Sequence, residues 1–268
     1  MNNQKTIFIT GASTGLGKAT AQLFQQKGWN VIATMRNPEK ETELSQLENV
    51  SLLQLDISNP EQIKTVTQQA IALHDIDVVF NNAGYGLSGA LEALSDEQIV
   101  RQIDTNLLGT IRVTQSFIPY FRNRKNGLFL NTTAIGAFVA FPFVSTYHAT
   151  KWALEGWSES LSFELGLFNI GVKTIVPGGI RSDFGRSMEV VPHLVYDEAA
   201  KKVHSLANPD AYATPEQIAE VVYEAATDNK DQLRYFAGED AFSLYNRRLE
   251  VGTEAFRKEI RKMIFGNQ

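Results

Sequence analysis

The sequence predicts an α/β fold: one domain built on a doubly wound parallel sheet with helices on both faces, a lid, and a C-terminal helical cover. Three observations carry this. Short β-branched runs alternate with helical patterns from the first residues onward. Several of those runs are apolar on consecutive residues, as strands covered on both faces are. A glycine-rich turn, TGASTGLG, separates the first strand from the first helix.

In chain order, strands are expected at Thr6–Thr10, Asn30–Thr34, Ser51–Leu55, Val78–Asn81, Leu128–Thr132 and Val172–Val176. Between them, Gly15–Lys27 and Glu61–His74 place apolar residues three and four apart, the helical spacing. The stretch from Ser145 to Leu167 also reads as a helix, with Ser145 as its N-cap. Repeated strand–helix units imply right-handed crossovers in one sheet. Residues 184–212 lack periodicity and are long for a plain connection, which marks a lid. TPEQIAEVVYEAATDN then starts a helix with Pro at the first helical position. Residues 239–265 read as one or two charged amphipathic helices forming a solvated cover. No internal repeat, low-complexity tract or linker divides the 268 residues, so a single domain spans 1–268.

Composition narrows the function classes. The hydrophobic share of 43% and charged share of 21% are those of a globular protein. A net charge of −5 without a basic arm argues against nucleic acid. There is no cysteine, which excludes disulfides and thiolate metal sites, and the four His show no metal-ligand spacing. No apolar run is long enough to span a bilayer, and the N-terminus lacks a signal peptide's cleavage region, so the expected location is cytoplasmic. Asn131-Thr132-Thr133 is formally a glycosylation sequon at the end of a buried strand and carries no weight.

The glycine turn is the first candidate site. Gly11, Gly15 and Gly17 permit a tight turn and close approach of backbone N–H groups to a pyrophosphate at a helix N-terminus, with Ser13, Thr14 and Leu16 completing the cradle. Their spacing is not GxGxxG, so the position after strand one carries the argument. The second strand ends in VIATMRNPEK, where a carboxylate would bind an adenosine ribose hydroxyl and a cation would accept a 2′-phosphate. Arg36 stands there, with no acid before Glu39, so the expected cofactor is NADP(H). Asp56 and Ile57 close the third strand where an adenine could be met. Asn82, Ala83 and Gly84 close the fourth, against the middle of the cofactor. For Asn81 and Asn82, strand-end turn chemistry is the plainer reading.

Of eight tyrosines only Tyr147 has a lysine four residues on, Lys151. On a helix the two share a face. An ammonium beside a phenol lowers its pKa from about 10, which would make Tyr147 a better general acid/base.

TGASTGLG, NNAG, DTNLLG, YHATK and PGGIRSDF, in this order over roughly the first 185 residues, resemble the motifs of the short-chain dehydrogenase/reductases. KWALEGWSESL and AGYG are most similar to the branch with 17β-hydroxysteroid dehydrogenases and retinol-type or carbonyl reductases. The resemblance implies a Rossmann-like fold and hydride transfer between a nicotinamide and a carbonyl or alcohol carbon. Tyr147 would exchange a proton with the substrate oxygen, Lys151 would bind the nicotinamide ribose, and Asn106 would hold a water of the proton relay. Pro177, Gly178, Ile180 and Ser182 would line the nicotinamide, Ser182 standing where the family more often has Thr. Pairing of helices into a homodimer or homotetramer is also implied.

The family's catalytic serine lies thirteen residues before the tyrosine, which here is Ala134. Loss of one such donor costs on the order of 10²–10³ in rate. If strand alternation holds, Thr133 faces away and Thr132 lies one pleat deeper, so neither replaces it easily. The sequence is compatible with a natural alanine and with an inactivating substitution. Phe141 and Phe143 before the tyrosine, and Phe184 and Met188 in the lid, are candidate substrate contacts for an apolar ketone, aldehyde or alcohol. His193, Leu194 and Tyr196 add to the lid, and His148 reads as an incidental helix position. Two alternatives remain: an NADPH-binding sensor or scaffold with little turnover, and the same fold catalysing isomerisation or dehydration.

Overall fold

A computed structural model of the chain describes residues 4–182 and 188–266. Strand β1, Thr6–Thr10, shows why the consecutive apolar pattern arises. Ile7 and Ile9 enter one apolar layer while Phe8 between them enters the other. Strand β4, Val78–Asn81, divides in the same way, Val78 and Phe80 against Val79. On the first face lie α1, Gly15–Gln26, and α7, Pro215–Thr227, contributing Phe24, Ile218 and Val222. The second face is covered by α2 (Pro60–Leu73), α4 (Thr110–Arg124) and α5 (Ser145–Gly166), through Val66, Phe117, Phe121 and Leu161.

The remaining strands of the main sheet are β2 (Asn30–Met35), β3 (Val50–Gln54), β6 (Gly127–Thr132), β7 (Ile170–Pro177) and β9 (Arg234–Ala237). The order is β3-β2-β1-β4-β6-β7-β9, parallel throughout. The order reverses between β1 and β4, and ligands bind such sheets outside the carboxyl ends of the strands at that point. The expected parallel α/β sheet with helices on both faces is the fold observed.

Several expectations need correction. Strand β9 was not anticipated, because RYFA is four residues long, alternates in burial and follows a charged turn. Among its described residues, the region of the lid is not irregular. It contains strand β8, Glu189–Val191, paired in parallel with β5, Leu87–Gly89, and helix α6, Asp197–Ser205. The C-terminal cover is two helices, α8 (Glu239–Val251) and α9 (Thr253–Phe265), parted at Gly252. It is more than a solvated face: Ala241 and Phe256 are buried against Ile135 and Val139, beyond β6. Ser145 is not the N-cap of α5. The Val144 carbonyl already accepts the His148 N–H at 2.9 Å, so Val144 takes that position.

Candidate active site

Most of the sequence-predicted residues lie at the carboxyl edge of the sheet. Gly11, Ser13, Thr14, Gly15, Leu16 and Gly17 form the turn from β1 into α1. Leu16 is buried core, while Ser13 and Thr14 are exposed. Thr14 precedes α1 without a side-chain cap, and the first turn holds no acid. The helix therefore presents uncapped N–H groups and a positive dipole end, the donor set a pyrophosphate takes. Two glycines serve the packing of the turn as well. A Cβ on Gly17 would stand 2.3 Å from the Gly11 carbonyl oxygen, and one on Gly11 would stand 2.8 Å from Ala83 Cα.

Asn82 ties this turn to β4. Its N–H donates to Thr10 Oγ1 at 3.0 Å, and its Nδ2 donates to the carbonyls of Thr10 and Gly11 at 3.2 and 3.1 Å. Asn81 is a buried cross-strand link, donating to Thr114 Oγ1 and to Asn131 Oδ1, both at 2.9 Å. Asn131 in turn donates to Ser158 at 3.0 Å. Neither asparagine performs the turn chemistry expected of a strand end. Asn131, fully buried, is closed to glycosylation.

Helix α3, Asp96–Ile103, runs into α4 through a π-helical turn at Asp104–Gly109, a feature frequent at functional sites. The turn carries Asn106 into the interior. Asn106 Oδ1 accepts the Tyr85 N–H at 3.0 Å, and Nδ2 donates to the Tyr85 carbonyl at 2.8 Å. A Cβ on Gly84 would lie 3.2 Å from Asn106 Oδ1 and 3.9 Å from Lys151 Nζ, so both polar groups converge on that glycine.

From α5, Lys151 Nζ donates to the Thr132 carbonyl at 2.9 Å and stands 5.7 Å from the centroid of the Tyr147 ring. Burial lowers Lys151 to about 8 and pushes the Tyr147 phenol above its ordinary value. Desolvation thus works against the depression expected for the half-buried Tyr147, and the ammonium beside it is itself desolvated.

The family model described as short chain dehydrogenase matches residues 5–190. The chain belongs to the short-chain dehydrogenase family. An uncharacterized oxidoreductase of Schizosaccharomyces pombe is 36% identical over 234 residues, covering 86% of this chain and 99% of the relative. The crystal structure of a short-chain dehydrogenase from Streptomyces avermitilis superposes with a TM-score of 0.85 at 28% identity, covering 99% of each chain. An alcohol dehydrogenase from Thermococcus sibiricus, complexed with 5-hydroxy-NADP, has a TM-score of 0.71 at 26% identity, covering 88% of this chain and 97% of that one.

Within this short-chain dehydrogenase, Ala134 lies two residues beyond β6 in extended backbone, 8% exposed. Thr133 Oγ1 donates to the Ile175 carbonyl at 3.2 Å, turned into the sheet. Thr132 Oγ1 is buried without a hydrogen-bond partner among the described residues.

His148, read from sequence as incidental, is a bracket. Its Nε2 accepts the Phe141 N–H at 2.9 Å, and Nδ1 lies 2.7 Å from the Gly136 carbonyl. A carbonyl only accepts, so Nδ1 carries the proton and the ring is neutral. Burial, the largest cause, lowers its pKa in the same sense. Its position one residue after Tyr147, about 100° round α5, gives no sign of this role in the sequence.

Arg36 is exposed at the end of β2, its carbonyl accepting from Gln54 Nε2. The Asp56 carboxylate accepts the N–H and hydroxyl of Ser58 at 2.9 and 2.7 Å. Ile57 is buried, with its carbonyl against Gly109. Pro177 ends β7 and Gly178 follows it. Ile180 packs onto the first apolar layer, and Ser182 approaches Gly15.

Beside the N-terminus of α5 lies a cavity of about 480 Å³ lined by Gly89, Ala90, Leu91, Glu92, Phe143, Ser145 and Tyr196. Phe143 lines it from a left-handed backbone (φ 65°) and meets the Tyr196 ring edge-on at 6.1 Å. Phe141 is not among its walls; it packs toward Ile135 and Val139. Met188 is half-buried and also stands outside the lining. Phe184 lies outside the described residues. Among those described, no group of three His, Cys, Asp or Glu could hold a metal, and no helix is long and apolar enough to cross a membrane.

Proposed function

We propose that the chain is an NADP(H)-dependent oxidoreductase acting on an apolar ketone or aldehyde, or on the matching secondary alcohol. The observation that carries the reading is the convergence of Tyr147, Lys151 and Asn106 at the switch point of the sheet, beside an uncapped helix N-terminus. The Thermococcus sibiricus relative, an alcohol dehydrogenase solved with 5-hydroxy-NADP, supports both the cofactor and the reaction class.

Residues 11–17 and the N–H groups opening α1 would hold the pyrophosphate, Arg36 the 2′-phosphate, and Pro177 with Gly178 the nicotinamide edge. A bound nicotinamide supplies the hydride for reduction and takes it back in oxidation. In the reducing direction Tyr147 gives its phenolic proton to the carbonyl oxygen as the C–H bond forms, which requires the protonated phenol. Lys151, fixed to Thr132, stabilises the phenolate left behind. Asn106 holds the Tyr85 turn in place beside it. The apolar walls of the cavity, Leu91, Phe143 and Tyr196, favour a hydrocarbon-rich substrate over a phosphorylated one. Phe163 and Leu167, 73% and 81% exposed on and just beyond α5, support assembly with a second copy through that helix.

The test is cofactor binding and turnover measured together. NADPH should bind more tightly than NADH, and Arg36→Ala should remove that preference. Tyr147→Phe should abolish reduction of a hydrophobic ketone while NADPH still binds. Tighter NADH binding by the unmodified protein sinks the cofactor assignment, and full turnover in Tyr147→Phe sinks the mechanism. Binding without turnover, across a broad carbonyl and alcohol panel, would favour a sensing role, in line with Ala134.

A further inference from the structure

The turn after β7 is held from outside its own strand. Gly178 N–H donates to the Ala237 carbonyl at 3.0 Å, and Gly179 N–H donates to Asp240 Oδ2 at 2.6 Å. Both partners belong to the corner between β9 and α8. Gly238, at φ 100°, makes the bend that brings Asp240 back over the turn. A backbone N–H bonded to a carboxylate is a charge-assisted hydrogen bond, shorter and stronger than a neutral one.

The fit on the turn is close. A Cβ on Gly178 would stand 2.1 Å from Asp240 Oδ1, and one on Gly179 would stand 2.5 Å from the Tyr212 ring. The carboxylate therefore occupies the volume that a side chain at 178 would need. Oδ1 itself is buried with no hydrogen-bond partner among the described residues. Leaving a carboxylate oxygen desolvated and unpaired costs free energy, a cost that apolar packing at this corner would avoid.

We propose that Asp240 is a positioning residue that fixes the Pro177–Gly178–Gly179 turn for cofactor binding. This assigns a role in the proposed site to the C-terminal cover, which also packs on the loop beyond β6 and, through Phe242 and Tyr245, on Phe236 of β9. It rests on the NADP(H) reading above.

NADPH affinity is measured by cofactor fluorescence, with steady-state KM and kcat, for Asp240→Ala, Asp240→Asn and Gly178→Ala. Asp240→Ala is expected to weaken NADPH binding about tenfold or more, as loss of a hydrogen bond to a charged group does, with substrate KM unchanged. Asp240→Asn keeps a carbonyl to accept from Gly179 and is expected to stay within about threefold of the unmodified protein. Unchanged affinity in Asp240→Ala overturns the proposal, as does Asp240→Asn falling equally far. Gly178→Ala reads the same contact from the turn and serves if Asp240→Ala does not fold. It should weaken NADPH binding, and unchanged affinity there again overturns the proposal. Adding Asp240→Ala to it should cost less than the product of the single effects, because the contact is shared; independent effects count against it. An unmodified protein that fails to bind NADPH at all overturns the cofactor reading instead.

Discussion

Lys151 Nζ is anchored to the carbonyl of Thr132, 2.9 Å away, two residues before Ala134 on the same strand end. The strand end that would present the family's serine is therefore bound to α5, the helix that carries Tyr147. The neighbours of Ala134 do not replace the serine hydroxyl. Thr133 donates into the sheet, and Thr132 has its hydroxyl buried below. Ala134 is in extended backbone that any residue adopts. Ala134→Ser is therefore expected to raise kcat for reduction of a hydrophobic ketone about tenfold or more, the scale of one donor at a reacting oxygen. NADPH consumption by the two proteins on one substrate panel measures this. No gain on any substrate would show that this site works without a donor at that position.

Lys151 also sets a pH dependence. Burial lowers it from 10.5 to about 8, so in the folded chain it gives up its proton earlier than in the unfolded one. Between about 8 and 10.5 the unfolded state binds more protons, and stability rises with pH through that window. Lys151→Met removes the contribution. Urea melts at both ends of the window should show the unmodified protein gaining stability relative to the variant as pH rises. A constant difference would mean that the ammonium is not desolvated in the folded state.

Sequence exposed most of what the site shares with its fold. Consecutive apolar residues in TIFIT mark a strand with two covered faces, and the glycine turn and the Tyr147–Lys151 spacing follow from local chemistry. What it concealed depends on long-range contacts. Strand β9 is too short to announce itself, and only pairing with β7 makes RYFA a strand. The direction of the Tyr147 shift needs the degree of burial, which spacing does not convey. His148 looked incidental because its partners, Gly136 and Phe141, are carbonyl and amide groups of a loop, invisible in side-chain patterns.

That loop gives the third prediction. His148→Leu leaves the Gly136 carbonyl and the Phe141 N–H without their partner, at a cost on the order of 1–3 kcal/mol for each group left buried and unpaired. The same loop leads to Phe143 at the cavity wall, so kcat should fall while NADPH affinity stays within about threefold. The imidazole is held neutral below its ordinary pKa, so its contribution is complete above 6.5 and is lost as pH falls further. Denaturant melts and steady-state kinetics on the variant check both parts. Unchanged stability would show that water satisfies the two groups.

A buried ion pair on β7 allows a prediction about stability. Lys173 Nζ donates to the Ala225 carbonyl at 2.9 Å, to Asp228 Oδ1 at 2.7 Å and to the Tyr235 hydroxyl at 3.0 Å, using all three of its protons. Tyr235 in turn donates to Asp228 Oδ2 at 2.7 Å, so one cluster ties β7, the end of α7 and β9 together. Burial opposes ionisation of Asp228, but its hydrogen bonds to Lys173, Lys230 N–H and Tyr235 prevail and hold the carboxyl well below the usual range. Its contribution is present above about 3.8 and is lost as pH falls. Lys173→Met should destabilise the fold by about 1–3 kcal/mol, because it takes the buried ammonium from Asp228 and leaves it Lys230, whose Nζ stands 3.5 Å from Oδ2. Adding Asp228→Leu should recover much of that loss, since an apolar replacement of both partners removes the buried charge. Urea melts of the single and double variants at neutral pH decide the matter, and a double variant no more stable than the single one would show that the cluster acts through geometry and not through its charges.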